Sequence, residues 1–590
     1  MQRRALLILA AVLGFLLPVI APASLAAGSG SVTLALTPSA VTYGQPQHAA
    51  GTIAAEGSCS AGRTVYLQRR PSGAATWSHV ATATSKTDGS FAFSFTHAGS
   101  SSYRARAPAS GACLILTSDA TNGVVHAAVS LALGSHTVRA GGCRRGTIVV
   151  GPNKSGQHAR LQQKGPSGWR TIAFLTLDGS SRAATNLCKG WGSIGKRYTY
   201  RATWPAQDSA NAAGTSATSS LLVVEAGWMQ RIDQLTRGRA VGVSIRSGGR
   251  VLYQRAQAVA FAPASNEKLL LSMALLDRFG PAATIHTDAA VPALRRGVVR
   301  GNLWVLGHGD PSTGKPEIAR LAHAIAVAGV HKVTGSVLGS TGYFAHDWWA
   351  PGWRSFFPTI EVGLPSALTF LENHVDGRNV HAPERFAAQS LTRHLRRLGV
   401  KVAGSPGSAA APAGLHVIAS ATSPSLAGLL GHMDGISDNF FAEVLGKRLA
   451  VARYGGPGTI SHAAAAIASW TQSHGVATHP HDSSGLSYDD RVTPGGITRL
   501  LQTAEGEPWG GMLRAVLATP GHGTLEDRLS GVNVHAKTGT LDYISALSGW
   551  VWLSRLGRWA EFSILDRGML DWYSKPMEDA IVRQVARYGH

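Results

Sequence analysis

Three places in the chain set a serine three residues before a lysine: Ser193–Lys196, Ser265–Lys268 and Ser312–Lys315. On a helix that spacing holds a nucleophilic hydroxyl and an amine on one face, where the amine can take the hydroxyl's proton. Ser193–Lys196 lies in "GWGSIGKRY", whose flanking glycines predict a turn. Ser312–Lys315 lies in the loop before a helix that Pro316 and Glu317 open. Ser265–Lys268, in "PASNEKLLLSMALLDRFG", differs from both. Pro263 precedes it, an apolar helical run follows, and Gly280 stops that run. Free N–H groups in a first helical turn can steady an oxyanion at the serine. Burial against leucines favours the neutral amine that a base requires. Taken alone, the pattern fits a serine N-cap with a solvated lysine better; partner motifs reverse that.

Two further motifs lie downstream. "GISDNFFAEVLGKRLA" places Ser437, Asp438 and Asn439 at the opening of an amphipathic helix. "VHAKTGTLDYISALSGWVWL" places Lys537, Thr538, Gly539 and Thr540 on a predicted strand. Gly539 removes a side chain where a ligand backbone can pass. Each motif alone is weak, since Asp-Asn helix starts and Thr-Gly strand ends are common. In this order and context the three form the set found in penicillin-binding proteins and class A β-lactamases.

From about residue 226 to 590 the chain resembles the D-alanyl-D-alanine carboxypeptidases/endopeptidases of the peptidase S13 type, the class C low-molecular-weight penicillin-binding proteins. The resemblance extends to "FAPASNEKLLLSMALL", "GNLWVLGHGDPS", "SDNFFAEVLGKRL", "DSSGLSYDDRVTP" and "KTGTLDYISALSGWV", in family order. It implies an α/β serine β-lactamase/transpeptidase-like domain that cuts peptidoglycan stem peptides through a serine acyl-enzyme and is blocked by β-lactams. It implies Ser265 as nucleophile, Lys268 as proton acceptor, Ser437 as relay to the leaving amine and Asn439 as holder of the acyl-side amide. Lys537 would shape the local field, and Thr538 and Thr540 would bind the terminal carboxylate beside Gly539. The N–H groups of Ser265 and Thr540 would form the oxyanion hole. No cofactor and no metal are implied.

The 172 residues between Ser265 and Ser437 leave room for an inserted domain, expected near 288–418 as in the resembled family. No Glu-x-x-Leu-Asn motif is present, so the glutamate with which a class A β-lactamase drives deacylation is missing. One block departs from the family pattern: "GSVLGSTGYF" has Gly339 and Ser340 where an acidic residue is usual. Two other functions stay open at this stage: a β-lactamase or esterase on the same scaffold, and a catalytically inert wall-binding protein.

The chain as a whole must position these residues. Its 590 residues exceed one core, and 15% charged residues with 69 glycines suit β-rich surfaces. The architecture expected is multidomain. Residues 28–125 and 126–224 alternate apolar and polar residues between Gly, Pro and Ser turns, as antiparallel strands do. "VYLQRRPSGAATWSHVATATSKTDGSFAF" also aligns with "ARLQQKGPSGWRTIAFLTLDGSSRAA". Two tandem all-β immunoglobulin-like sandwiches are expected, followed by the peptidase domain over 225–590. "GWMQRIDQLTRG" predicts a helix, "AVGVSIRSGGRVLYQ" two strands about a Gly-Gly turn, and "KPMEDAIVRQVARYG" a closing helix with Pro576 in its first turn.

Residues 1–27 carry the marks of an export signal: Arg3 and Arg4, an apolar core from Ala5 to Ile20, and small residues at Ser24–Ala26 for cleavage after Ala26 or Ala27. An uncleaved anchor is the alternative, disfavoured by the short core and Pro18. The mature protein is expected outside the cytoplasm, associated with the cell wall. There, Cys59, Cys113, Cys143 and Cys188 can form disulfides. Three pairings are possible, and Cys59–Cys113 with Cys143–Cys188 keeps each bridge inside one domain. The net charge is +22, or +20 without Arg3 and Arg4. Export and the absence of a nucleic-acid motif argue against nucleic acid and for anionic cell-wall polymers or a membrane surface, with plain solubility as the alternative. His474, His479, His481 and Asp482 suggest zinc but coincide with a family block that needs none. Trp348, Trp349 and Trp353 are expected to pack within the insertion, and "GHGDP" to form a turn.

Overall fold

The computed structural model describes residues 30–588, so the export segment at 1–27 lies outside the described residues. The chain falls into two compact units divided chiefly at Val224–Glu225, with Arg139–Gly141 and Gly190–Ile194 belonging to the C-terminal one.

The N-terminal unit holds two pairs of sheets. In the first pair, a four-stranded sheet built around Gln47–Ala54 and Ser90–Phe95 accompanies a six-stranded sheet built around Thr64–Pro71 and Ser101–Ala107. Ile53, Phe91 and Phe93 from one share a core with Leu67, Tyr103 and Ala105 from the other. Along Ser101–Ala107 buried and half-buried residues alternate strictly, because successive strand side chains point to opposite faces. The second pair sets a three-stranded sheet of Ala128–Leu133, Cys143–Gly151 and Arg182–Cys188 with a six-stranded sheet centred on His158–Gly165 and Arg197–Trp204. The copies match in detail. Each has a bulge at the same place, after Leu67 and after Leu161. Ser118 accepts the Ala105 N–H at 3.0 Å, and Ser216 accepts the Ala202 N–H at 2.9 Å. Cys59–Cys113 and Cys143–Cys188 are bonded, one bridge in each copy.

The C-terminal unit is organised by a five-stranded antiparallel sheet, ordered Arg250–Arg255, Ala240–Ser247, Arg558–Arg567, Ile544–Leu553, Val534–Leu541. Helices cover both faces, so Ser545–Val551 is continuously buried rather than alternating. On one face Gly227–Thr236 and Asp571–Ala586 pack through Trp228, Ile232, Ile581 and Val582. On the other lie Glu267–Phe279, Leu426–Ile436, Asn439–Tyr454 and Pro494–Gly506, joined by Leu269, Leu430, Leu445 and Leu500. The Gly-Gly turn forms as expected, with Gly248 and Gly249 at φ +53° and +78°, a region costly for other residues. The closing helix starts four residues earlier than Lys575, at Asp571. Pro576 therefore lies inside it rather than in its first turn.

Between Ser265 and Ser437 a separate sheet runs from His286–Val291 to His416–Thr422, with helices Lys315–Val327 and Pro383–Arg397 against it. The middle of this region leaves that layer. Phe344 and Ala367 enter the core of the catalytic helices, and Trp353, Phe357 and Val362 pack with Ala264. Trp353 thus belongs to the wall of the site, because its indole N–H donates to the buried Asp482 at 2.6 Å.

Bridging loops 54 and 45 residues apart stabilises a domain by about 4 kcal/mol each in the chain-entropy account. Reduction is expected to lower the calorimetric transition of the N-terminal unit and leave that of the C-terminal unit in place. An N-terminal transition indifferent to reductant would refute this.

Candidate active site

The Ser265–Lys268 motif opens with a tight turn. Ala264–Asn266 is a 3₁₀ turn that runs into the Glu267–Phe279 helix. Ala264 sits at φ +47°, a strained value for a residue with a Cβ. The strand Val534–Leu541 crosses directly over this turn: a Cβ on Gly539 would lie 2.8 Å from the Pro263 carbonyl and 3.0 Å from the Ser265 nitrogen. Only glycine lets the two backbones approach so closely.

Lys268 is fully buried, and its three N–H bonds have three acceptors. It donates to Ser265 Oγ at 3.0 Å, to Asn439 Oδ1 at 2.7 Å and to the Ser484 carbonyl at 2.6 Å. Burial lowers its pKa to about 8, against the upward pull of Asp482, Asp438, Asp434 and Glu443. A second buried amine, Lys537, donates to Ser437 Oγ at 2.8 Å and to the Thr538 carbonyl at 2.9 Å. Burial, and then the charge of Lys268, bring Lys537 down to about 7. Ser437 reaches it from a left-handed position, φ +65°, between the helix Leu426–Ile436 and Asp438, whose carboxylate caps the next helix on Phe441 N–H. Asn439 Nδ2 donates to the Glu361 carbonyl at 3.1 Å.

The structure therefore brings Ser265, Lys268, Ser437, Asn439 and Lys537 into one hydrogen-bonded cluster. Thr538 is buried beside it and donates to Thr524 Oγ1 at 2.8 Å, while Thr540 is exposed. Val534–Leu541 is an edge strand, with only Ile544–Leu553 beside it in the sheet. On its outer edge the Ala536 N–H donates to the Ala518 carbonyl at 3.0 Å, and the edge beyond Ala536, next to Ser265, can take an added extended peptide. The other two serine–lysine pairs form no such cluster. Ser312 gives its hydroxyl to Asp310 at 2.6 Å, and Lys315 and Lys196 are exposed.

Five further side chains act on the site without having been assigned a role from sequence. Ser272, one turn beyond Lys268 on the same helix face, donates to Asp434 Oδ2 at 2.7 Å. Asp434 is fully buried, and its Oδ1 has no hydrogen-bond partner. Burial raises it to about 6, opposed first by Lys537, then by Ser272 and Lys268. It is the counter-charge beneath the two amines. Glu443 accepts the N–H groups of Ser483 and Ser484 at 3.0 and 2.8 Å, which holds the Ser484 carbonyl toward Lys268. Asp482 accepts from Gly485, Ser487 and Trp353, fixing the same turn. One signal for Asp434 is visible in sequence: a lone acid in the apolar "LAGLLGHMDGI", one turn before Ser437.

The carboxylate of Asp482 is thus occupied by the turn it holds, and His474 Nδ1 lies 2.9 Å from the Trp470 carbonyl. Among the described residues, one set brings three metal-type ligand atoms within 4.8 Å of one another: Glu372, His432 and Asp438. Two of these are already joined, His432 Nε2 to Asp438 Oδ2 at 3.0 Å.

Comparison with known proteins gives this geometry a family. The profile of the D-Ala-D-Ala carboxypeptidase 3 (S13) family matches residues 229–356 and 359–588. The D-alanyl-D-alanine carboxypeptidase of Actinomadura sp. (strain R39) is 27% identical over 452 residues, covering 61% of this chain and 83% of its own. A carboxypeptidase of Mycobacterium tuberculosis is 29% identical over 387 residues, covering 60% and 81%. The crystal structure of penicillin binding protein 4 from Haemophilus influenzae superposes with a TM-score of 0.54 at 20% identity, over 60% of this chain and 98% of that one, a likeness of fold. With the profile spanning more than half of its length, the chain belongs to the S13 family of serine-type D-Ala-D-Ala carboxypeptidases.

Proposed function

We propose that this protein is exported and cleaves the D-Ala-D-Ala bond of peptidoglycan stem peptides, terminal or cross-linked, through an acyl-enzyme on Ser265. The same acylation would make it a target of β-lactams. One observation carries the reading: Ser265 Oγ lies 3.0 Å from an amine that burial holds near neutral pH, with a second hydroxyl–amine pair, Ser437–Lys537, beside it. The sequence of residues 1–27 supports export. We read the two N-terminal sheet pairs as immunoglobulin-like sandwiches, on their paired sheets and matching registers.

In the proposed reaction the neutral Lys268 takes the Ser265 proton as Oγ attacks the carbonyl carbon. The oxyanion is held by the N–H groups of Ser265 and Thr540. Ser437 gives its proton to the departing D-alanine nitrogen and is refilled from Lys537, so the C–N bond breaks and the leaving group departs as an amine. Water then attacks the ester. Before this step the proton that Lys268 took from Ser265 passes to Lys537, so Lys268 is again a free amine; it takes the water proton and gives it to Ser265 Oγ as the ester breaks, which restores the free enzyme. Asn439 holds the acyl-side amide, and Thr538 and Thr540 hold the terminal carboxylate.

The two lysines have opposite requirements. Lys268 works as the free amine, so activity rises as pH climbs toward about 8. Lys537 works as the ammonium, so activity falls once it deprotonates. Its proton is held more firmly when Lys268 is neutral, because the charge of Lys268 adds to the depression that burial causes. A bell-shaped profile is expected for acylation by benzylpenicillin, followed by intact mass between pH 5.5 and 9.5. Ser265→Ala is expected to give no adduct. Rapid drug hydrolysis without an adduct would indicate a β-lactamase instead, and neither adduct nor hydrolysis would sink the acyl-enzyme reading.

Asp434→Asn keeps an acceptor for Ser272 but removes the negative charge under the amines. Lys537 should then lose its proton at lower pH, moving the alkaline limb of the acylation profile down by about one unit, roughly tenfold in rate at pH 8. A uniformly slower profile with its limbs in place would show Asp434 to be structural only.

A further inference from the structure

The basic charge of this protein is not spread evenly. Residues 30–224 hold 18 Lys and Arg against five Asp and Glu, a net +13, while residues 225–590 hold 35 against 28, a net +7. The smaller unit therefore carries most of the excess. Among its described residues one ion pair forms, Lys154–Asp208.

Part of this charge is built into the same place twice. In the first sandwich Arg104 lies across from Gln68, and its Nε–H donates to Gln68 Oε1 at 2.9 Å. Its guanidinium carbon sits 4.4 Å from the centre of the Trp77 ring, with Arg70 at 5.0 Å over the same ring. In the second sandwich Arg201 lies across from Gln162, and its Nε–H donates to Gln162 Oε1 at 2.8 Å. Its guanidinium carbon sits 4.4 Å from the centre of the Trp169 ring. Both glutamines directly follow the bulge. Lys164 stands two residues beyond Gln162 on the strand, as Arg70 stands beyond Gln68.

A carboxylate across the strand would stabilise such an arginine. Here the partner is a neutral amide in both copies. The ring and the amide fix the plane of the guanidinium but leave its charge unmatched. The Nε–H is used, and among the described residues neither Nη group makes a hydrogen bond within the protein. What faces outward is a held, two-pronged donor edge, the geometry that takes a carboxylate in bidentate fashion. Arg104 is pushed below its usual pKa by partial burial and by the nearby charges of Arg106 and Arg70, so its surroundings favour an incoming anion. Neutral donors and acceptors lie alongside, such as the exposed pair Ser102 Oγ–Asn122 Oδ1 at 2.8 Å, and these suit sugar hydroxyls.

We propose that the Gln68–Trp77–Arg104 and Gln162–Trp169–Arg201 faces are a repeated binding site for an acidic polysaccharide. Two copies of one site suit a ligand whose charged unit itself repeats, because the second contact then forms at high effective concentration. The export reading above says only where such a polymer would be met. Binding is tested apart from catalysis.

The test measures affinity of the mature full-length chain for polygalacturonate, a carboxylated glycan, at about 0.1 M salt, where diffuse surface attraction is screened beyond roughly 10 Å. The variants are Arg104→Gln with Arg201→Gln, and a control of equal charge change on exposed residues of the three-stranded sheet region, Arg145→Gln with Arg182→Gln. The site pair should lose at least tenfold in affinity and the control less than twofold, with benzylpenicillin acylation equal in all. Arg104→Lys with Arg201→Lys keeps the charge and loses the fork, and should fall between. This pair also serves if the glutamine pair folds poorly by thermal melting. Equal losses in site and control pairs would overturn the proposal in favour of diffuse charge. So would no wild-type preference for polygalacturonate over neutral dextran. Tighter binding of poly(glycerol phosphate) than of polygalacturonate would overturn the choice of polysaccharide.

Discussion

Two lysine side chains buried in one pocket are the constraint on which the catalytic unit is built. Removing an ammonium from water is expensive unless its donors are matched and an opposite charge is near. Lys268 meets the first requirement by giving its three N–H bonds to a serine, an asparagine and a backbone carbonyl, each from a different element. The second is met by the buried Asp434, near enough to both amines to be shifted by each. The residual desolvation is what brings Lys268 to about 8 and Lys537 to about 7. An amine matched by several carboxylates would be a permanent cation and no base. An amine with none would not stay inside. The site sits between these limits, and its chemistry follows from that balance.

The scaffold can be understood as the means of holding that balance. A sheet buried on both faces keeps Lys537 in register with Ser437 and keeps Gly539 in contact with the turn that bears Ser265. Strain at Ala264 is tolerated because it packs with Trp353 and Phe357, and strain at Ser437 because Lys537 holds its hydroxyl. Glu443 illustrates the secondary cost. Burial, and then Asp482, push its carboxyl up to about 8, yet it remains because it orders the two N–H groups that aim the Ser484 carbonyl.

How much of this could be read from sequence depended on the range over which each feature is encoded. The Ser265–Lys268 spacing, the Ser437–Asp438–Asn439 helix start and the Lys537–Gly539 strand are local patterns, and periodicity placed each on the element that carries it. The sheet pairs of the N-terminal unit were legible from strict alternation, and their duplication from the Pro-Ser-Gly turn and its tryptophan. Asp434, Glu443 and Asp482 were not assigned, because a buried acid looks like an exposed one until its partners are known. Those partners are as far away as Ser272 is from Asp434, or Trp353 from Asp482. Trp353 was placed in the insertion for a similar reason. Chain position located it between strands of the inserted sheet, whereas a hydrogen bond to a distant aspartate decides where it packs. Pro576 misled by suggesting a first turn, while Asp571 opens the helix a full turn earlier.

The two units also differ in how they use charge. In the catalytic unit acids and bases nearly balance, and many are buried, where each fixes a turn or a proton. In residues 30–224 acids are scarce, five against 18 Lys and Arg, and Arg104 and Arg201 keep guanidinium groups on the sheet surface. Arginine keeps its charge at any physiological pH and presents its donors in a fixed plane, whereas lysine can lose its proton when desolvated. Under the proposed reading, retention on an acidic polysaccharide falls to the arginine faces of residues 30–224, and tight binding there leaves product release from the peptidase site unaffected.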